Sequence, residues 1–143
     1  IKKMEKEFNK FLEFHKVNGG TGKIFKFKLI EYREGFLKLK GEFPSETLNP
    51  SKTVQGGQIN SMLDDVTSIL LIYESKGTSY PNSTNLHSIH HRPLFGGEVT
   101  ATAEIIKKGK TVATVKGEVF NPDGKLAATL IHTAIIMKSD FKM

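Results

Sequence analysis

One segment of this 143-residue chain limits its possible folds more than any other: the run from Gly56 to about Ser75. Ile59, Met62, Leu63, Val66, Ile69, Leu70 and Tyr73 recur at helical spacing and make one continuous apolar stripe. Leu71 and Ile72 add apolar surface behind the stripe, so this helix needs cover on two sides. One side is expected to meet a sheet of the same chain, and the other a partner subunit.

Most of the remaining sequence alternates like strand. Lys3 to Val17 predicts an amphipathic helix with Phe8, Phe11, Leu12 and His15 at helical spacing, ended by Gly19, Gly20 and Gly22. Ile24–Leu29 and Phe36–Lys40 flank Glu34-Gly35, which predicts a β-hairpin. Pro44–Val54 is a polar loop. Beyond the central helix, Ser83–Arg92, Glu98–Lys107, Thr111–Phe120 and Leu126–Lys138 predict a four-strand meander. Its turns fall at Lys108-Gly109-Lys110 and at Asn121-Pro122-Asp123-Gly124. A single domain over residues 1–143 is expected, with a helix and linker at 1–22 and the core at 23–138. So few helices per strand imply an α+β fold in which an antiparallel sheet wraps one long helix.

Composition narrows the partners. The 38% apolar and 25% charged content is that of a globular protein. Without cysteine there is neither a disulfide framework nor a thiolate zinc site, and a reducing, cytoplasmic location is the expectation. The longest wholly apolar run, Ile69–Tyr73, is too short to span a bilayer, so no membrane partner is expected. The net charge of +6 fits a solvated lysine-rich surface or a phosphate-bearing small molecule. Nucleic acid is not expected, because the lysines are dispersed and lack interleaved aromatics on one face. No metal is expected either. His87 and His91 share a strand face but stand about 13 Å apart, and His90 points the other way. His132 reads as a strand residue near the core or an interface.

The start of the central helix carries the chemistry. Gly56 and Gly57 let a ligand approach N–H groups at the positive end of the helix dipole. Asp64 follows two turns later, on a face that Leu71 and Ile72 keep from being uniformly wet. A carboxylate there can activate water or attack a carbonyl. Asp65 is turned about 100° toward the apolar stripe and reads as a structural or rim group. Ser68 lies one turn beyond Asp64, as a helper or as a plain surface serine. By residue type, Asn49 before Pro50 is a turn former.

The order Asn49, Gln55, Gly56, Gly57, Asp64 resembles the N-x5-H-G-G-x6-D motif of the hotdog fold, in the phenylacetyl-CoA thioesterase-like branch of acyl-CoA thioesterases. His91-Arg92-Pro93-Leu94-Phe95-Gly96-Gly97-Glu98 and Asp123–Lys125 are similar to two further blocks of that family, and the likeness runs from about Lys23 to Lys138. The departure is Gln55, where the family carries histidine; its amide can still donate to a carbonyl. The resemblance implies hydrolysis of an acyl-CoA thioester to acid and thiol, with Asp64 as the catalytic carboxylate and Gly56 or Gly57 N–H polarising the thioester oxygen. It further implies that Asn49 and Gln55 position the reacting groups, that Ser68 assists, and that Ser83 or Thr84 holds the water. Arg92, Lys107, Lys108 and Lys110 are candidates for one patch contacting the phosphates of coenzyme A. No metal or redox cofactor is implied. The implied assembly is a homodimer with its sheets joined edge to edge, doubled into a tetramer, each site being built across two chains. Three other readings compete. A hotdog dehydratase would need a histidine that the central helix lacks, and the long buried helix argues against a basic all-β nucleic-acid binder. A non-catalytic acyl-CoA-binding module on the same fold is favoured by Gln55 and opposed by Asp64.

Overall fold

In the computed structural model, residues 2–140 are described. The elements are α1 (Lys2–Asn18), α2 (Gly20–Phe25), β1 (Lys28–Arg33), β2 (Phe36–Phe43), α3 (Gly56–Glu74), β3 (Ser79–His90), β4 (Gly97–Lys108), β5 (Val112–Phe120) and β6 (Leu126–Lys138). All six strands pair antiparallel in one sheet of order β1-β2-β4-β5-β6-β3. This is the expected α+β hotdog architecture. α3 packs against β2, β3, β4, β5 and β6, so the sheet curls around it. No helix among the described residues is long and apolar enough to cross a membrane.

The contact is close because the inner face of the sheet is thin. Small side chains face the helix from Ala101, Ala103, Ala113 and Ala128, all buried. At Gly117 a Cβ would stand 3.1 Å from Thr67 Cγ2, and at Gly41 it would stand 2.8 Å from Met62 Cε. Into this floor α3 sends Met62, Leu63, Val66 and Leu70, none of them exposed. Each buried side chain of that size contributes about 1.5–3 kcal/mol.

Three expectations are corrected. The last four strands do not form a meander: β4, β5 and β6 do, while β3 lies at the far edge beside β6. β2 already occupies the free edge of β4 from Phe36↔Glu104 to Phe43↔Gly97. The turn-like His91–Gly97 segment is instead a crossover beneath the start of α3, where Leu94 is buried and its carbonyl accepts the Val54 N–H. Second, Gly20 and Gly22 do not end helical structure, and Ile24 and Phe25 are not strand. They form α2, which stops at Lys26 with φ of 50°. Gly22 permits this by close approach, since a Cβ there would meet His15 Nδ1 at 2.7 Å and the Lys16 Cα at 2.8 Å. Phe25 is driven into the core from the end of α2. Third, part of the second cover of α3 comes from its own chain. α1 sets the Phe8 ring 4.3 Å from Tyr73 and the Phe11 ring 5.9 Å from it.

Asp65 lies under this junction. Its side chain is 18% exposed, with Oδ1 4.0 Å from His15 Nε2 and a buried Oδ2 that has no hydrogen-bond partner among the described residues. Burial pushes its carboxyl up to about 7, helped by the Asp64 charge and opposed by the Thr21 hydroxyl. Burial likewise holds the His15 imidazole below its ordinary range. A carboxyl raised in this way keeps a proton that the unfolded chain has already lost. Its contribution to stability therefore falls as pH rises from about 4 to about 7. Asp65→Asn is expected to raise the melting temperature at pH 8 and to give no gain at pH 4, with a ceiling of about 4 kcal/mol for a shift of this size. Calorimetry at both pH values checks it. Gly22→Ala should lose about 1–3 kcal/mol in urea unfolding by forcing α2 away from α1; unchanged stability would show that this contact is loose.

Candidate active site

The middle of α3 brings Asp64 and Ser68 to a cavity of about 530 Å³, walled by α1 on one side and the first residues of β3 on the other. The Asp64 side chain is 40% exposed, and Ser68 Oγ donates to its Oδ1 at 3.4 Å. Ser83, at the same cavity, comes from β3. Its Oγ lies 2.7 Å from His132 Nε2, on β6.

His132 joins these groups from behind. Its side chain is fully buried, with Nδ1 2.8 Å from Thr67 Oγ1 and 3.8 Å from Asp64 Oδ1. Thr67 Oγ1 has one proton, with the Leu63 and Asp64 carbonyls at 2.8 and 3.1 Å as helix acceptors. With that proton on a helix carbonyl, Nδ1 is the donor to Thr67 and Nε2 the acceptor of the Ser83 hydroxyl proton. Burial lowers the His132 pKa and Asp64 opposes this, so the neutral ring that this pattern needs is the favoured form. The role of His132 was legible in part: it keeps phase with Ala128, Leu130 and Ala134, the buried set of β6. A polar residue in that register has to find partners. Which partners it finds depends on α3 and β3.

The other chemical groups lie at the start of α3. Gln58 and Ile59 N–H fold back on the Gln55 carbonyl at 2.9 and 3.1 Å, which leaves the Gly56 and Gly57 N–H groups as the unpaired donors of the first turn among the described residues. Neither glycine has a positive φ. A Cβ on Gly57 would meet only Gln55 Oε1, at 3.7 Å. Nothing in the chain itself demands glycine there; the open backbone is room for something from outside. Gln55 is the N-cap residue, yet its side chain makes no capping bond. His90 lies alongside: its Nε2 is 3.1 Å from Asn60 Oδ1, and a Cβ on Gly56 would come 3.4 Å from its Cε1.

Several candidates are not brought together. Asn49 is consumed by its own loop, donating to Thr53 Oγ1 at 2.8 Å and accepting from Ser51 and Thr53 N–H at 2.9 and 3.2 Å. It sits with the start of α3, not with Asp64. Thr84 gives its hydroxyl to the Thr133 carbonyl at 3.1 Å. The basic patch divides in two. Arg92 donates to the Leu126 carbonyl at 3.1 Å, at one end of β6, whereas Lys107, Lys108 and Lys110 flank the turn into Val112, which pairs with Ile135 near the other end. Leu126 to Ile135 is about 30 Å of strand, so these cations cannot share one phosphate on one chain. His91 pairs with Thr129 Oγ1 at 3.0 Å, and among the described residues no three His, Cys, Asp or Glu are grouped to hold a metal.

Against known proteins, the profile of the thioesterase superfamily matches residues 52–128, which include the whole of α3. The fold is similar to a phenylacetic acid degradation-related protein from Ralstonia eutropha JMP134: 28% identity, 90% of this chain and 98% of that one, TM-score 0.80. It is also similar to the E. coli PaaI protein from the phenylacetic acid degradation operon, at 20% identity over 94% of this chain and 96% of that one, TM-score 0.79. A Streptococcus mutans UA159 protein bound to acetyl-CoA matches at 16% identity over 80% and 91%, TM-score 0.71. At such identities the last two speak to the fold alone. Among curated proteins none matches the chain significantly. With its sheet wrapped on α3 and the superfamily profile over more than half its length, the chain belongs to the thioesterase superfamily and has the hotdog fold.

Proposed function

We propose that the protein hydrolyses acyl-CoA thioesters to a free acid and coenzyme A, with Asp64 as general base on water. The observation that carries this reading is the pair of hydrogen-bond acceptors facing one cavity, Asp64 and the Ser83 oxygen polarised through His132. A water held by two acceptors turns its remaining lone pair outward, toward a carbonyl. Ser68 holds Asp64 in place. The tetrahedral oxyanion needs donors about 3 Å away, and Gly56 and Gly57 are the open ones. Within one helix, however, Gly57 lies about 10 Å from Asp64 along the axis, and its N–H points away from that carboxylate.

The reading therefore assigns the donors to a second copy. β3 offers the means: it is a twelve-residue edge strand with most of its residues exposed. Two copies joined there by a two-fold axis run their α3 helices antiparallel, so that Gly57 of one faces Asp64 of the other. Gln55 then stands beside the carbonyl, and Arg92, at the same end of the sheet, is the cation nearest the path of the coenzyme phosphates. The acetyl-CoA bound by the Streptococcus mutans relative supports this substrate class. Doubling of the dimer into a tetramer and a cytoplasmic location belong to the same reading.

Thiol release from short, long and aromatic acyl-CoAs is the direct test. Wild type is expected to turn over, and Asp64→Asn to lose at least about 100-fold in kcat. His132→Gln and Ser83→Ala should each lose about tenfold in kcat with little change in KM, because they orient the water rather than bind substrate. If wild type binds these thioesters without cleaving any, the protein is an acyl-CoA-binding module and the hydrolase reading fails.

A further inference from the structure

Two cavities flank the junction of α1 and α3. One, of about 530 Å³, holds Asp64, Ser68 and Ser83; the other, of about 510 Å³, lies at the C-terminal end of α3 over Tyr32, Tyr73 and Glu74. Among the described residues, Phe11 alone lines both. Its side chain is 4% exposed, and its ring is wedged 6.1 Å from Phe8 and 5.9 Å from Tyr73. The cavities follow one another along the helix, the first lined from Asp64 to Ile72 and the second from Tyr73 to Lys76. The first also has polarity. Asp64, Ser68 and Ser83 mark its reacting end and Phe11, Ile69 and Ile72 give it an apolar wall, with His15, Asn18 and Asn82 also on its lining.

We infer that Phe11 is a specificity-determining residue that terminates the acyl chain, and that the preferred substrates carry an unbranched apolar acyl group of medium length. This rests on the reading of Asp64 as the group that meets the thioester. From there the apolar path follows α3 for about 12 Å to Ile72, and Phe11 closes it. A shorter chain leaves that wall uncovered and forfeits about 25 cal/mol for each Å² not buried. A longer chain has to displace a ring that is packed on two neighbours. Selectivity therefore falls on both sides of one length. Beyond the ring the space already exists, with Tyr32 and Tyr73 at its floor, so trimming Phe11 merges two cavities rather than leaving a closed hole.

The experiment is kcat/KM over a series of straight-chain acyl-CoAs of increasing length, for wild type, Phe11→Ala, Phe11→Leu, Ile72→Phe and Phe8→Leu. Wild type is expected to peak at an intermediate length. Both Phe11 variants should move the optimum to longer chains and gain about tenfold or more over wild type on the longest substrates. Ile72→Phe should move it to shorter ones. Phe8 is buried in the same aromatic cluster and lines neither cavity, so Phe8→Leu should lower the melting temperature and leave the optimum in place. If Phe11→Ala does not fold, Phe11→Leu and Ile72→Phe decide the matter. An unchanged length profile in folded Phe11→Leu overturns the inference, as does an equal shift in Phe8→Leu. If wild type cleaves no member of the series, the thioester reading of Asp64 has failed and takes this inference with it.

Discussion

The close seating of α3 on the sheet is the contact on which the rest of this structure depends. Glycine and alanine on the inner face let the helix approach until Gly117 has no room for a Cβ beside Thr67 without some shift. At that distance Met62, Leu63, Val66 and Leu70 lose all contact with water, and the apolar stripe supplies the main favourable term of folding. The same proximity has a polar consequence. His132 on β6 stands opposite Thr67 on α3, and the two buried polar groups meet at 2.8 Å. A core hydrogen bond thus holds a ring whose far nitrogen reaches the Ser83 hydroxyl.

From this the layout of the chemistry follows. One helix carries donors at its N-terminus and a carboxylate in its middle, and its rigidity keeps them about 10 Å apart. A helix can offer both groups, but not to the same atom. In the mechanism proposed above a second copy supplies the donors at the open edge of β3, which is left open because β2 has taken the place beside β4 that β3 would otherwise fill. Topology and the proposed mechanism meet at that point: an edge strand can pair with a second copy, and the proposed mechanism needs one.

The elements were easier to read than their arrangement. α3 lies within a residue of its expected bounds, and β6 coincides with Leu126–Lys138, because hydrophobic period is a local property. Asp64, Ser68 and Ser83 were singled out by spacing or by family likeness, and all three reach one cavity. Other features went astray for physical reasons. Gly22 looked like a helix terminator, yet its use is contact with His15, which no local pattern records. Lys107, Lys108 and Lys110 resembled partners of Arg92, but the register of β5 on β6 carries them to the opposite end of the sheet. Asn49 was read both as a turn former and as a site residue, and its hydrogen bonds are those of the turn former. His132 and Asp65 were described only as core, rim or structural groups, since what a buried polar group does depends on what faces it.

By itself the sequence determined which segments are helix and strand and that one long helix has to be wrapped by a sheet, and it singled out Gly56, Gly57 and Asp64 as candidate site residues. These follow from periodicity and spacing along the chain. Tertiary structure alone decided that β3 takes the edge, that α1 packs on Tyr73, and that Phe11 divides two cavities. It also decided that a buried imidazole joins Asp64 to Ser83. Each is a contact between residues far apart in sequence. Its energy comes from burial and hydrogen bonding across elements, and that is settled only when the whole chain has packed.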